Sequence, residues 1–395
     1  MPSFRTLTIA FVTTPVIALA VWQGCSVYDE SLLVSGDGGG GDVATEAGPP
    51  DSGDGCNHAR WPGRPAADDD ASVTDLEFYN ALRVLDFGAG DGGTASQSVV
   101  GVDLDNICTC EGTPLGPDSC NPFQDSGMQC DQEGGIDDSL GSLVKEFSGS
   151  TNFFDQGYIN QNLAQGIFGA LFRVRNYNGQ ANDTQVELSI FVSNGAQGAD
   201  TDAGPSIPQW TGNDVWTLDP KSLLGGTLGD AGPVPLVAYD LNAYVSNYTL
   251  VGNISDMPLA IGAATGEGLI TIDLTGGLVV AKLTPFGNTF QVSEGIVAGR
   301  WETRKLLTAL QVLRDPFDFD AALCGQDAIY QLLKGRICGI QDIASNVLDD
   351  GKNAPCNALS LAFAFTSVPA HYGNVFAPDA QPGGCGPQWN DQCGP

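Results

Sequence analysis

The sequence contains few basic residues. Only 16 Lys and Arg stand against 47 Asp and Glu, which gives a formal charge of −31 over 395 residues. A nucleic-acid-binding surface needs clustered cations to neutralise phosphates, and the lysines here are scattered along the chain. Nucleic acid is therefore excluded as a partner. The charge suits an exported, water-facing protein that binds cations.

The sequence also lacks the common signatures of catalysis. Two histidines, His58 and His371, are too few for a three-histidine zinc site. There is no Gly-x-Ser-x-Gly nucleophile motif, no phosphate-binding loop, and no Glu-x-Asp-x-x-Glu strand of the kind found in sandwich glycosidases. No catalytic residue is nominated, and the sequence argues against an enzyme without deciding the question.

The apolar stretch at the N-terminus is too short for a spanning helix. It runs for 15 residues from Leu7 to Val21, whereas a transmembrane helix needs about 20. Arg5 precedes it and Gly24-Cys25 follows it, which is the pattern of an export signal. We therefore predict that residues 1–25 form a targeting segment.

This segment resembles a bacterial lipoprotein signal, in which the cysteine after a small residue carries lipid and begins the mature chain. That residue is Cys25, although Trp22 and Gln23 stand where the family usually has Leu and a small residue. The alternatives are an uncleaved anchor or a disulfide at Cys25. The Cys-Ser-Val-Tyr-Asp start and the Gly/Asp-rich stretch after it are similar to uncharacterised surface lipoproteins of the myxobacterial type. The resemblance implies a lipid anchor at the outer membrane or cell surface but no activity.

Residues 26–55 are mostly Gly, Asp, Ser, Pro, Ala and Thr. Such a segment buries too little apolar surface to offset the entropy of ordering it. We predict a disordered tether here and a folded body over residues 56–395.

Cysteine numbers indicate disulfide bonds. There are 11 cysteines, and assigning Cys25 to lipid leaves an even number in a chain that meets an oxidising compartment. Zinc thiolates are the weaker alternative, because the dense cluster from Cys108 to Cys130 lacks zinc-ribbon spacing. Cys385 and Cys393 flank a short tail segment and are plausible partners of each other. The predicted disulfide cysteines are Cys56, Cys108, Cys110, Cys120, Cys130, Cys324, Cys338, Cys356, Cys385 and Cys393.

The hydrophobic pattern is mainly that of strands with alternating apolar positions. About ten such runs without regularly intervening helices predict a mainly β (α+β) fold, an antiparallel jelly-roll-like β-sandwich braced by disulfides. A helical segment at about 300–345 is expected to pack on it, with a separate small C-terminal subdomain as the alternative, and a loop-rich tail follows. The predicted strands are 76–87, 98–104, 168–177, 185–193, 214–218, 236–251, 269–274, 277–283, 289–298 and 359–365, and the predicted helices are 138–147, 158–167, 301–313 and 328–338.

The acidic segment between Gly101 and Asp138 predicts a calcium site. Calcium takes six to eight oxygen ligands, which Asp and Asn residues on disulfide-held loops can supply. The Asp-x-Asp spacing before a cysteine resembles, over a short stretch, the calcium loops of thrombospondin-type repeats. The alternative is a set of solvated acidic loops with a helix N-cap at Asp137 and Asp138. The candidate ligands are Asp103, Asp105, Asn106, Asp131, Glu133, Asp137 and Asp138.

These observations predict a membrane-anchored cell-envelope lipoprotein with a structural or ligand-binding role, whose partners are the membrane and an envelope polysaccharide or protein. The alternative is an extracellular carbohydrate-binding or carbohydrate-active protein. It rests on Trp210, Trp216 and Tyr177, which fall on or beside loops where an exposed ring could stack on sugar. The competing interpretation is that these rings cap the ends of the sandwich.

Replacing Cys25 by Ser tests the anchor. Without its thiol the chain has no lipid acceptor, so the protein should move from the membrane fraction to the soluble or unprocessed pool and lose palmitate labelling. Cell fractionation with metabolic labelling measures both. Persistent labelling in Cys25→Ser would rule out this residue as the lipid site.

Overall fold

The computed structural model describes residues 56–69, 75–88, 100–111, 118–122, 127, 129–147, 155–198, 206–262, 269–315, 318–325, 327–377, 385–386 and 389–394. The predicted signal with Cys25 and the predicted tether lie outside these ranges. The strands are β1 Leu76–Asp86, β2 Gly169–Tyr177, β3 Asp183–Ser193, β4 Val215–Leu218, β5 Tyr239–Ser246, β6 Thr249–Gly262, β7 Leu269–Phe286, β8 Thr289–Glu302, β9 Arg314–Asp315, β10 Asp318–Ala322 and β11 Ala358–Val375. The helices are α1 Ser139–Phe147, α2 Gln156–Ala164, α3 Thr303–Ala309 and α4 Ala328–Gly339.

Eight antiparallel strands form one closed barrel in the order β1-β2-β3-β5-β6-β7-β8-β11. The barrel closes because β1 pairs with β11, in a register that sets Tyr79 opposite Ala370 and Asp86 opposite Ala364. The short β4 runs parallel to the far end of β11. The predicted jelly-roll sandwich is therefore wrong: the alternating pattern gives each strand one buried face, and a sandwich and a barrel satisfy that pattern equally.

Side chains fill the barrel. In β11 the residues Leu359, Leu361, Phe363 and Phe365 point inward, while Ala362 and Ala364 belong to a separate cluster on the outer surface. The stacked rings of Phe172 and Phe365 lie 4.9 Å apart near the middle. The small outward residues let covering segments approach the wall closely, so β11 is buried on both faces over most of its length.

The helices lie at one end of the barrel, where β1 and β8 finish and β11 begins. The α2 side chains Gln156 and Asn160 accept hydrogen bonds from the backbone of Phe87 and Leu85 at the end of β1. The buried residues of all four helices join the same core as the barrel interior. The helices therefore pack on the β body and share its core.

Aromatic rings close the opposite end of the barrel. The Tyr177 ring lies 5.2 Å from Phe290, and the Phe78 ring lies 5.9 Å from Phe290. Outside the wall, Trp61, Val100 and Val102 cover β5, β6, β7, β8 and β11. A second outer cluster around Trp216 covers β1, β2 and β3. No helix of the described ranges is long and apolar enough to cross a membrane.

Several predicted elements differ from the structure. Residues 100–104 form an irregular segment, and 98–99 lie outside the described residues. The run 236–251 contains the β5–β6 hairpin, whose turn residues Asn247 and Tyr248 adopt positive φ. The predicted strands 269–274 and 277–283 are parts of the continuous β7, with an irregularity between Thr275 and Leu278, because both segments find partners on the same two neighbours.

The ten predicted cysteines form five disulfides, Cys56–Cys108, Cys110–Cys130, Cys120–Cys356, Cys324–Cys385 and Cys338–Cys393. The expectation that Cys385 pairs with Cys393 is wrong. Cys385 instead bonds to Cys324, which precedes α4, and Cys393 bonds to Cys338 within α4. These two disulfides tie the tail to the helices.

Phe365→Ala tests the core. The Phe365 side chain is fully buried against Phe172, so its removal should leave a cavity and lower the free energy of unfolding by about 3–5 kcal/mol. Phe376→Ala is the control, because Phe376 is 51% exposed and its truncation should cost about 0.5 kcal/mol or less. Urea denaturation measures both, and equal losses would contradict the interior placement of Phe365.

Candidate cation site

Two disulfide-linked loops, residues 100–111 and 129–138, lie side by side. Backbone hydrogen bonds join them, from Asp137 N to Val102 O at 3.1 Å and from Asp131 N to Thr109 O at 3.3 Å. The Cys110–Cys130 disulfide links the same two loops, and Cys56–Cys108 attaches the first loop to the start of the folded body. The loops are therefore held together by covalent and backbone bonds.

A glycine allows the loops to approach this closely. Gly135 has a φ of 68°, and a Cβ added there would lie 2.6 Å from Cys108 Sγ and 3.0 Å from Asp103 Oδ2. Any side chain at this position would collide with the disulfide and the carboxylate.

Three carboxylates converge between the loops. One oxygen of each of Asp103, Asp105 and Asp137 lies within 4.8 Å of the other two. The three residues are 5%, 8% and 2% exposed. The expectation of solvated acidic loops is wrong for these residues, because the barrel wall and the segment 56–64 exclude water from them.

Backbone amides orient each carboxylate. Asp103 Oδ1 accepts from Asn106 N at 2.6 Å, and Asp105 Oδ1 accepts from Ile107 N at 2.9 Å. Across the loops, Asp137 Oδ2 accepts from Leu104 N at 2.7 Å and Asp131 Oδ2 from Thr109 N at 2.5 Å. These bonds use one oxygen of each carboxylate.

Two buried oxygens at the site are left without partners. Within the described part of the chain, Asp105 Oδ2 and Ser119 Oγ are buried and make no hydrogen bond. Ser119 is 1% exposed and its hydroxyl is close enough to Asp105 to lower that residue's pKa, yet the two oxygens are not placed for a hydrogen bond. A buried unpartnered oxygen is destabilising, so the site contains acceptor capacity that the protein does not satisfy.

The carboxylates strongly perturb one another. Burial, with the like charges of Asp103 and Asp350 nearby, raises the pKa of Asp105 to about 7. Burial, with Asp105, Asp342 and Asp103 nearby, raises the pKa of Asp131 to about 8. Asp131 therefore belongs electrostatically to the cluster. Burial and the neighbouring carboxylates hold the pKa of Asp137 well above its usual range.

Basic side chains contact the edge of the cluster. His58 Nδ1 pairs with Asp103 Oδ2. Arg300 pairs through both terminal nitrogens with Asp350 and donates to Leu104 O. For Asp105 and Asp137, no ion pair to Lys, Arg or His is present among the described residues. A further Cys56–His58–Cys108 group is compact, but both sulfurs are in one disulfide and are not thiolate ligands.

The remaining predicted ligands have other roles. Asn106 Oδ1 accepts from Arg60, and Glu133 is exposed on its loop. Asp138 Oδ1 accepts from Gly141 N at 3.0 Å and Ala362 N at 3.1 Å, so it caps α1, as the alternative interpretation predicted. Ser119 and Asp342 were not predicted, since neither lies in a recognisable motif.

The aromatic residues that supported sugar binding do not line one exposed surface. Trp216 and Tyr177 are fully buried, and Trp210 packs on Trp216 with 5.6 Å between ring centroids. Trp210 and Trp216 cover the outside of the barrel wall, and Tyr177 closes its end. The interpretation that these rings cap the ends of a sandwich is therefore wrong for the two tryptophans.

The fold and site define a disulfide-braced closed barrel with a buried acidic cluster on its outer wall. Comparisons with protein-family models, curated proteins and solved structures find no match to this chain.

The raised pKa values predict a pH dependence of the ion-free protein. The folded-state pKa values of Asp105 and Asp131, about 7 and about 8, exceed the unfolded value of about 3.9. The folded protein therefore binds more protons, and its stability should fall as pH rises between about 4 and about 8. Melting in EDTA across this range measures the slope, which Asp105→Asn should reduce and Glu133→Gln should leave unchanged. Stability that rises with pH in EDTA would contradict the raised pKa values.

Proposed function

We propose that this protein binds a calcium ion between its two acidic loops, and that the ion holds an exported, membrane-anchored barrel in its folded form. The observation that carries the proposal is the convergence of the Asp103, Asp105 and Asp137 oxygens within 4.8 Å, with Asp105 Oδ2 unpartnered among the described residues. A divalent cation would supply the missing partner and reduce the repulsion.

The donor chemistry favours calcium over other metals. The carboxylates of Asp103, Asp105, Asp137 and Asp131 and the Ser119 hydroxyl offer hard oxygen donors, and the nearby His58 Nδ1 is already paired with Asp103. Zinc prefers nitrogen and sulfur ligands, and the nearby sulfurs are oxidised. Magnesium usually keeps several waters and uses one or two carboxylates, whereas this cluster offers more carboxylates in a dry setting. Calcium accepts many carboxylates in irregular geometry.

The location is a separate part of the proposal. Five disulfides among the described residues support folding in an oxidising compartment. The similarity of the N-terminus to surface lipoproteins of the myxobacterial type supports an anchor at Cys25, with the body on a tether at the outer membrane or cell surface. The role at that surface is structural or ligand-binding.

Thermal melts of the full chain test the calcium site. Calcium at a hundredfold excess over its dissociation constant should stabilise the folded state by about 2.7 kcal/mol relative to EDTA. Asp105→Asn should remove most of this increment. In EDTA the same variant should melt no lower than the wild type, because it deletes a buried repulsive charge.

Glu133→Gln is the matched control. It removes one negative charge from the other of the two acidic loops, but Glu133 is exposed, so the calcium increment should persist. Sodium chloride at equal ionic strength corrects for general screening of a −31 chain. No increment beyond that of the salt, an equal increment with magnesium, or an equal loss in both variants would each refute a calcium site at Asp105.

A further inference from the structure

A second candidate site lies at the end of the barrel opposite the helices. A cavity of about 460 Å³ opens between the start of β1 and the end of β11, and its lining includes Glu77, Tyr79, Thr289, His371 and Tyr372. Its volume falls within the roughly 300–1,000 Å³ of small-ligand sites. None of these residues takes part in the acidic cluster.

Two tyrosine rings form the aromatic part of the cavity. Tyr79 on β1 and Tyr372 on β11 lie 5.1 Å apart with their planes tilted by 53°, and they are adjacent because barrel closure sets Tyr79 opposite Ala370. Tyr372 is 36% exposed. A neighbouring turn supports its ring, since a Cβ added to Gly232 would lie 3.1 Å from the Tyr372 hydroxyl. The cavity therefore presents a supported aromatic surface to solvent.

Polar groups surround these rings. Glu77 Oε1 accepts from the Tyr79 hydroxyl at 3.1 Å, and Glu77 Oε2 lies 3.6 Å from Arg175 Nε. His371 and Thr289 line the same cavity. Donors and acceptors thus occur together beside an aromatic face, as a ligand with both hydroxyl groups and apolar C–H faces requires.

The charges narrow the class of ligand. No Lys or Arg is among the described residues that line the cavity, and the chain carries −31, which disfavours an acidic ligand. A quaternary ammonium ion would be favoured if the cavity consisted only of aromatic rings and hydrogen-bond acceptors. In this cavity the Glu77 charge is already compensated by Arg175, and His371 and Thr289 supply hydrogen-bond donors. These features disfavour a quaternary ammonium ion as the ligand.

We infer that this cavity binds a neutral sugar, with one pyranose face against Tyr372 and its hydroxyl groups on Glu77, His371 and Thr289. The inference rests on this cavity alone and is independent of calcium binding. A neutral sugar unit of a cell-envelope or environmental polysaccharide has the required chemistry. The site is distinct from Trp210, Trp216 and Tyr177, at which the sequence suggested sugar binding.

The test uses an array of neutral oligosaccharides built from glucose, galactose, mannose and N-acetylglucosamine, probed with the full chain. We expect binding to at least one of them, confirmed by titration calorimetry, with equal affinity in calcium and in EDTA if the protein remains folded. Tyr372→Ala should weaken that binding about tenfold or more, whereas Tyr372→Phe keeps the ring and should retain it within about threefold.

Tyr239→Ala is the matched control, since Tyr239 is 41% exposed and lies outside the cavity lining. It should leave sugar affinity unchanged. The inference is overturned if no neutral sugar binds, if Tyr372→Ala and Tyr239→Ala behave alike, or if choline binds in a Tyr372-dependent manner while the sugars do not. If the full chain binds a neutral sugar but does not bind calcium, only the proposed calcium site is refuted.

Discussion

The pairing of β1 with β11 is the constraint on which the rest of the structure depends. It converts a row of strands into a closed barrel whose interior is dry and filled, so no long sheet edge needs protection. The helices can then cover one end, and aromatic rings can close the other. The same strand reaches both candidate sites, because Ala362 N in β11 donates to Asp138 beside the acidic loops and Tyr372 lies in the cavity wall.

The acidic loops show how covalent bonds can maintain an unfavourable electrostatic arrangement. Asp103, Asp105 and Asp137 would separate and hydrate if their loops were free, because burial of like charges is costly. Cys56–Cys108 and Cys110–Cys130 limit that separation, and Cys120–Cys356 ties the following segment to the start of β11. The bracing is therefore concentrated where the folded chain repels itself most strongly.

Sequence patterns predicted the features that depend on near neighbours. The bounds of β1, β2, β3 and β4 followed closely from alternation, and the full pairing of ten cysteines followed from their even number. Closure could not be inferred, because it depends on register between Tyr79 and Ala370 at opposite ends of the body. The cysteine partners were missed for the same reason, since Cys120 and Cys356 are separated by 236 positions.

In the candidate cation site, too, features that depend on near neighbours were predicted and contacts between distant segments were not. The spacing Asp103-x-Asp105 and the nearby cysteines indicated the cluster, but Asp and Glu on one loop look alike in a sequence, and so exposed Glu133 was included with buried Asp137. Asp342 contributes to the electrostatics of Asp131 and Asp137 from a distant part of the chain and gave no signal. Trp216 is buried, yet it was considered part of a binding surface. The alternation of apolar and polar residues along a strand does not show whether another segment covers the strand's outer face.

The position of β11 along the chain has a consequence for how the protein is made. β1 is synthesised early, but its second neighbour, β11, is complete only when residues 358–375 have emerged. Any shorter N-terminal fragment therefore has an open barrel with two unpaired edges. Contacts between such distant segments form slowly, and open edges invite pairing with other chains. A chain of this topology needs protection from aggregation until its last strand is in place.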